Sequence, residues 1–252
     1  MVHGDQVGRH SNGLRASELN SMRQLRLMSG GAAQGLVGAL RERFEREHAC
    51  TVHGTFGAVG LMRDQLLAGE ASDMMILSQA LIEQLTQEGH LVAGSAHALG
   101  VVKTGVALLP GAPRPLLQTP EQLKSLLSQA TAVYFPDPQK ATAGIHFMKV
   151  LEQLGVRELL ADRLCVYPNG ATAMREMAAQ ARPGAVGCTQ VTEILYTPGV
   201  SLLDVLPESL GLSTVYTAAV CTRAAEPGLA RELIATLAGE AAAQLRREGG
   251  FV

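Results

Sequence analysis

Apolar and polar positions along this chain follow two periods, and the changeover from one to the other falls repeatedly at a glycine-bearing turn. A strand-like stretch with Leu25, Leu27 and Met28 ends at Ser29-Gly30-Gly31. Beyond it Leu36, Leu40 and Phe44 recur at helical spacing, with Arg41, Glu42, Arg43, Glu45 and Arg46 outside the stripe. Cys50, Val52 and Phe56 then alternate with Thr51, His53 and Thr55, a second strand that runs into Gly57-Ala58-Val59-Gly60. A helix over 61–67 closes at Gly69, and the continuous apolar run Met74, Met75, Ile76, Leu77 has the pattern of a strand buried on both faces. Strands and helices alternating in this way predict βαβ units with right-handed crossovers.

The pattern changes at 99–109, a long strand-like run that ends in the proline-rich stretch 110–115, read as a passage between lobes. Alternation then resumes, with helices expected over 120–127, 144–154, 173–181 and 192–196 and strands over 132–135, 164–167 and 185–188. A second long apolar run over 212–221 precedes an Ala/Leu-rich helix expected over 227–247. Two long runs bracketing a middle section predict one lobe from 22–103 plus 214–252 and another from 104–213, joined by two crossings. Residues 1–21 are polar and rich in Gly, Ser, His and Asn, and read as a disordered leader.

Four strand-to-helix turns carry the candidate chemistry: Ser29-Gly30-Gly31, Gly57-Ala58-Val59-Gly60, Thr142-Ala143-Gly144 and Asn169-Gly170-Ala171-Thr172. A helix start exposes unpaired N–H groups and the positive end of the peptide dipole, and a glycine lets another molecule come close to that backbone. Each turn alone is an ordinary cap. Several aimed at one cleft would hold a small anion.

Bulk properties narrow the field. With 47% hydrophobic and 17% charged residues and a net charge of −2, the chain reads as globular, and the lack of a basic excess argues against nucleic acid. The 252 residues are enough for a large core without a metal or disulfides. Cys50, Cys165, Cys188 and Cys221 are widely spaced, which argues against zinc and fits a reducing compartment. No apolar segment has the length of a signal peptide or a membrane span, so a cytoplasmic location is expected, or a periplasmic one if a signal has been removed. No cofactor and no membrane insertion are expected.

The segments LRLMSGGAAQGLVGALRERFERE, TFGAVGLMRDQLLAGEASDMMIL, YFPDPQKATAGIHFMKVLEQLG and RELIATLAGEAAAQLRREGGF resemble the molybdate-binding-protein-like branch of type 2 periplasmic solute-binding proteins. The likeness spans 22–252. It implies an α/β fold of two lobes with mostly parallel sheets, two crossover strands at a hinge, and a small anion in the cleft, with transporter components of the ABC type as partners if the chain is exported. Molybdate and tungstate binders place small hydroxyl residues in the first two loops. Here the first loop keeps Ser29 but continues with Gly30 and Gly31, and the second has no serine. Extra room and fewer hydroxyls point to a larger anion, and the chain is more similar to the branch that includes aconitate isomerase and organic-acid-binding relatives.

An organic polycarboxylate is therefore the expected ligand, with an isomerase that shifts a double bond by proton transfer, or an oxyanion binder, as alternatives. Candidate contacts are Ser29, Gly30, Gly31, Gly57, Ala58, Val59, Thr142, Ala143, Gly144, Asn169, Gly170, Thr172, Thr189 and Gln190. Lys103 and Arg175 are candidate countercharges for a polycarboxylate. If the chain is an enzyme, His146, Glu193 and Tyr216 are the groups able to move a proton. Cys188 reads as a small buried hydrophobe.

Overall fold

The computed structural model describes residues 23–252; the leader expected over 1–21 lies outside the described residues. The first half is built from β1 (Arg23–Gly30), α1 (Gln34–His48), β2 (Cys50–Gly57), α2 (Val59–Leu67), β3 (Met74–Ser78) and α3 (Gln79–Gln87). A long strand, β4 (His97–Leu108), leads to α4 (Pro120–Gln129), β5 (Ala132–Pro136), α5 (Thr142–Gln153), the short α6 (Arg157–Leu160) and β6 (Leu164–Tyr167). Then come α7 (Gly170–Gln180), β7 (Ala185–Gln190), α8 (Val191–Tyr196), β8 (Ser201–Val205), β9 (Ser213–Val220), α9 (Pro227–Ala238) and α10 (Ala243–Glu248).

The strands lie in the order β2-β1-β3-β9-β4-β7-β5-β6, with β8 also paired to β4. β1 pairs with β2 and β3 in parallel, and β5 with β6 and β7 in parallel, so each half carries a parallel ladder. β9 and β4 run antiparallel between the two ladders. β4 belongs to both: its residues from His97 to Lys103 pair with β9, and those from Thr104 to Leu108 pair with β7. One apolar core gathers Leu25, Leu27, Met74, Ile76, Val102, Ala218, Leu233 and their neighbours. Separate cores gather Val106, Val133, Phe135, Phe147 and Val186, and Ala107, Tyr134, Met174 and Ile194. A change of core within one strand is what lets that strand serve two layers.

The way back from the second half runs through 206–212, tied to β4 at one residue. The Thr104 amide donates to the Leu212 carbonyl (3.0 Å), and the Leu206 amide donates to the Thr104 carbonyl (3.0 Å). Both crossings therefore meet at Thr104.

The predicted continuous helix over 227–247 is broken. α9 ends at Ala238, Gly239 is extended (φ −65°, ψ 162°), and a 3₁₀ turn precedes α10. Arg246 Nη1 donates to the carbonyls of Leu237 (2.7 Å) and Gly239 (2.8 Å), so the break satisfies acceptors that a helix end leaves open. Three further elements, α3, α6 and β8, go beyond those predicted from the sequence.

Candidate functional site

Parallel strands carry their connecting turns out at the carboxyl edge, where ligands of open α/β sheets bind. β1 and β2 are in register to their last residues, so Gly30 and Gly57 lie side by side. In the other ladder Pro136 lies beside Tyr167, and Tyr134 beside Gly187 two residues before Thr189. The four glycine-bearing turns thus leave two facing edges.

Between those edges is a niche of about 20 Å³, room for about one water. Gly31, Gly57, Ala58, Val59 and Tyr216 line it from the first half. Pro136, Ala141, Thr142, Ala143, Asn169, Gly170, Gln190 and Glu193 line it from the second. The starts of α2 and α5 and the turn at Gly30 have no side-chain cap; in α2 the Gly60 amide is taken by the Lys140 carbonyl (3.1 Å), and the other first-turn N–H groups are available to another acceptor. Only the start of α7 is capped among these four turns: Asn169 Oδ1 accepts from the Thr172 amide (2.8 Å).

The most informative side chain is Glu193. Its residue is 6% exposed, and Thr189 Oγ1 lies 2.5 Å from its Oε2. A Cβ at Gly31 would overlap Glu193 Oε1, and one at Gly170 would overlap Oε2 and Thr189 Oγ1. Glycine is thus needed at both positions to admit the carboxyl group. Burial pushes the Glu193 pKa up, while Thr189 and the backbone amides of Ala171 and Gln190 pull it down. The extra room expected from the glycine loops is filled: at Gly31 by Glu193, at Gly30 by Val59 and Tyr216 (2.8 and 3.0 Å from a Cβ there), and at Gly57 by Met62 (3.0 Å).

Gln190 is 3% exposed, and neither Oε1 nor Nε2 has a hydrogen-bond partner. It approaches Tyr216, whose pKa is pushed up by burial and by the Glu193 charge and pulled down by Gln190. An unpartnered buried amide costs roughly 1–3 kcal/mol, so a ligand that pairs with it recovers that cost.

The remaining predicted residues, Ser29, Gly30, Gly144, Thr172, Thr189, Lys103 and Arg175, do not line the niche. Ser29 is fully buried and its hydroxyl donates to the Gly30 carbonyl (2.8 Å). Gly144 packs the first turn of α5 on the carbonyls of Pro136 and Asp137, where a Cβ would overlap them. Thr172 Oγ1 accepts from Arg175 (2.9 Å), and Arg175 and Lys103 are exposed. Cys188 is buried, and burial pushes its thiol pKa up, so it packs rather than reacts. Pro136 and Ala141, which line the niche, were not singled out in the sequence although they sit in the YFPDPQKATAG segment.

Outside the niche a groove of about 400 Å³ adjoins it through Val59 and Thr142, and carries Arg63, Lys140, His146 and Lys149. His146 Nε2 lies 2.7 Å from the Leu210 carbonyl. The two halves meet across this groove: the Gly60 amide donates to the Lys140 carbonyl (3.1 Å), and the Lys140 ammonium pairs with Asp64. Lys140 and Arg63 hold the Asp64 pKa below the usual carboxylate range.

Two α/β halves with their strand ends facing one enclosed niche define a two-lobed solute-binding protein fold. Residues 25–252 match the family described as bacterial extracellular solute-binding protein, and the chain belongs to it. An aconitate isomerase from Pseudomonas sp. is 24% identical over 238 residues, covering 90% of this chain and 87% of that protein. The periplasmic molybdate-binding protein of Azotobacter vinelandii superposes with a TM-score of 0.72 at 18% identity, over 90% of this chain and 98% of that one. The sulfate-binding protein of Mycobacterium tuberculosis gives 0.71 at 16% identity, over 91% and 86%. The type 2 fold implied by the resemblance is thus present.

Proposed function

We propose that the chain binds a small organic polycarboxylate between its lobes and releases it to a membrane transporter of the ABC type. The observation that carries this reading is the niche itself, where uncapped helix starts from both halves surround the unpartnered amide of Gln190. Backbone amides at a helix start suit one carboxylate. The adjoining groove with Arg63, Lys140 and Lys149 suits a second. Small-molecule pockets run to roughly 300–1,000 Å³, so the niche of about 20 Å³ is a closed form that opens to admit ligand. The hinge lies where both crossings meet at Thr104, and the lobes are 22–103 plus 214–252 and 104–213. Delivery to a transporter places the protein outside the cytoplasmic membrane, the setting named in the family description.

A second reading is isomerisation of an unsaturated polycarboxylate, favoured by the presence of Glu193 and Tyr216 in the niche and by the aconitate isomerase relative. Proton transfer between carbons needs an acid and a base within reach of the carbon skeleton.

Isothermal titration against molybdate, sulfate, citrate and cis- and trans-aconitate, with NMR of the aconitate samples, tests both. Tight binding of citrate or an aconitate without double-bond migration supports the binding protein, and rapid migration supports the isomerase. Tight binding of molybdate alone replaces both with the oxyanion reading. Absence of heat with every anion overturns anion binding.

A further inference from the structure

Glu193 stands where an incoming anion would be expected to stand. Its carboxyl group lies against the backbone of Gly31 from one lobe and of Gly170 from the other, at two of the turns proposed to hold the ligand. We propose that the protein closes on its anion together with one proton, carried by Glu193, so that binding weakens as pH rises. This rests on the anion-binding reading above and adds a proton to it.

The surroundings of Glu193 offer no cation to balance both its charge and that of a ligand. On β4 His97 and Lys103 are exposed, on α7 Arg175 is exposed and Glu176 half-buried, on β8 Asp204 is exposed, and on α1 Arg41, Glu42, Arg43, Arg46 and Glu47 are exposed and Glu45 and His48 half-buried. The 3₁₀ turn Gly31–Ala33 carries no charge, and on β7 the neighbours are Thr189 and Gln190. Tyr216 on β9 is the other titratable group lining the niche, and burial keeps its hydroxyl neutral. Two negative charges in one enclosed space raise the pKa of one of them. A protonated Glu193 removes that repulsion and supplies an O–H donor beside the unpartnered Gln190 amide.

Opening the lobes removes the cover supplied by Gly31 and Tyr216, so water reaches Glu193 and favours its ionised form. Closure reverses this. The carboxyl pKa is thus higher in the closed liganded state than in the open one. A group whose pKa rises on closure contributes its full stabilisation at low pH and loses it as pH rises through the closed-state value. Between the open-state and closed-state pKa values up to one proton is taken up per anion and the affinity falls by about tenfold per pH unit; above the closed-state value it levels off.

The test is calorimetric titration of the full chain with sulfate, molybdate, citrate and cis-aconitate at pH 7.5, in two buffers of different ionisation enthalpy. Sulfate carries no proton of its own in this range, and Glu193→Gln separates the protein's proton from that of the other ligands. The expected result is net proton uptake, up to one proton per anion, in the unmodified protein. In Glu193→Gln the uptake is abolished, and the affinity is flat between pH 6 and pH 8.5. Anion binding with no proton uptake in the unmodified protein overturns the proposal and leaves the binding reading standing. The same follows if Glu193→Gln keeps the proton uptake. Absence of binding by every probe overturns the binding reading and this proposal with it. Absence of proton uptake by the unmodified protein overturns the proposal even if the variant folds poorly.

Discussion

Two buried carboxylates, one in each half of the molecule, have opposite surroundings. Asp73, 2% exposed, accepts from the amides of Arg26 (2.7 Å), Ala225 (2.7 Å) and Glu226 (2.9 Å). Those donors belong to β1 and to the turn before α9, so the side chain ties the edge of β3 to segments of its own core. Glu193 has Thr189 and nearby amides within its own half, while its open side faces Gly31 and Tyr216 of the other half. A carboxylate fully satisfied within one layer stabilises the fold. One completed only across the cleft responds to closure.

Four substitutions sharpen the contrast. Asp73→Asn has the largest expected effect on stability, about 3 kcal/mol, because the amide that replaces one oxygen meets donors with a donor. In thermal unfolding this is a fall of roughly 6–12 °C. Ligand affinity in the surviving folded fraction is unchanged. A loss of affinity with unchanged melting would reverse the roles assigned to the two carboxylates.

Gly31→Ala acts on the closed form instead. Its Cβ overlaps Glu193 across the cleft, and overpacking of this kind costs about 1–3 kcal/mol, which is roughly a 5–150-fold loss of affinity in titration calorimetry. Melting of the ligand-free protein moves little. Combining it with Glu193→Ala removes the overlap and restores much of the closure, and failure of that rescue would show that Gly31 is needed for a different reason.

Glu193→Gln leaves the melting temperature near that of the unmodified protein at neutral pH, since it replaces a buried ionisable group with a neutral isostere, and flattens the pH dependence of binding. Asp64→Asn has the smallest effect. It weakens the pair with Lys140 across the outer groove, worth about 0.2–1 kcal/mol at a partly exposed site, and so shifts affinity by a few-fold. The Asp64 pKa is held low in the closed form, so this contribution is present above the usual aspartate range and is lost as pH falls through the lowered value. That sign is opposite to that of Glu193, and affinity measured against pH separates the two groups.

The alternating periods and glycine turns made most of the fold readable, because a strand buried on both faces leaves a continuous apolar run, as Met74, Met75, Ile76 and Leu77 do. α3 was harder to read, since Gln79–Gln87 buries just Ile82 and Leu85. β8 was harder still: Ser201–Val205 is a half-exposed strand beside β4, without a buried face to impose a period of two. The break at Gly239 depends on Arg246 reaching back to Leu237 and Gly239, a contact that helical periodicity does not contain.

At the candidate site, the four turns could be located from their residue types, and the structure brings three of them and the Gly31 end of the first to one niche. The space beside the glycines could not be read. A missing side chain shows what one residue leaves open, whereas the group that fills the space at Gly31, Glu193, comes from α8, more than 160 residues further along the chain. The exposed positions of Lys103 and Arg175 depend in the same way on the direction of their elements rather than on their charge.

Anion binding of this kind requires backbone amides from both lobes to converge on one ligand. A crystal structure with the anion bound most tightly in calorimetry tests it directly. The expected structure has ligand oxygens on the amides that open α2 and α5 and on the side chain of Gln190, with the carboxyl of Glu193 in contact. An anion held elsewhere, with the Gln190 amide still unpartnered, would contradict it.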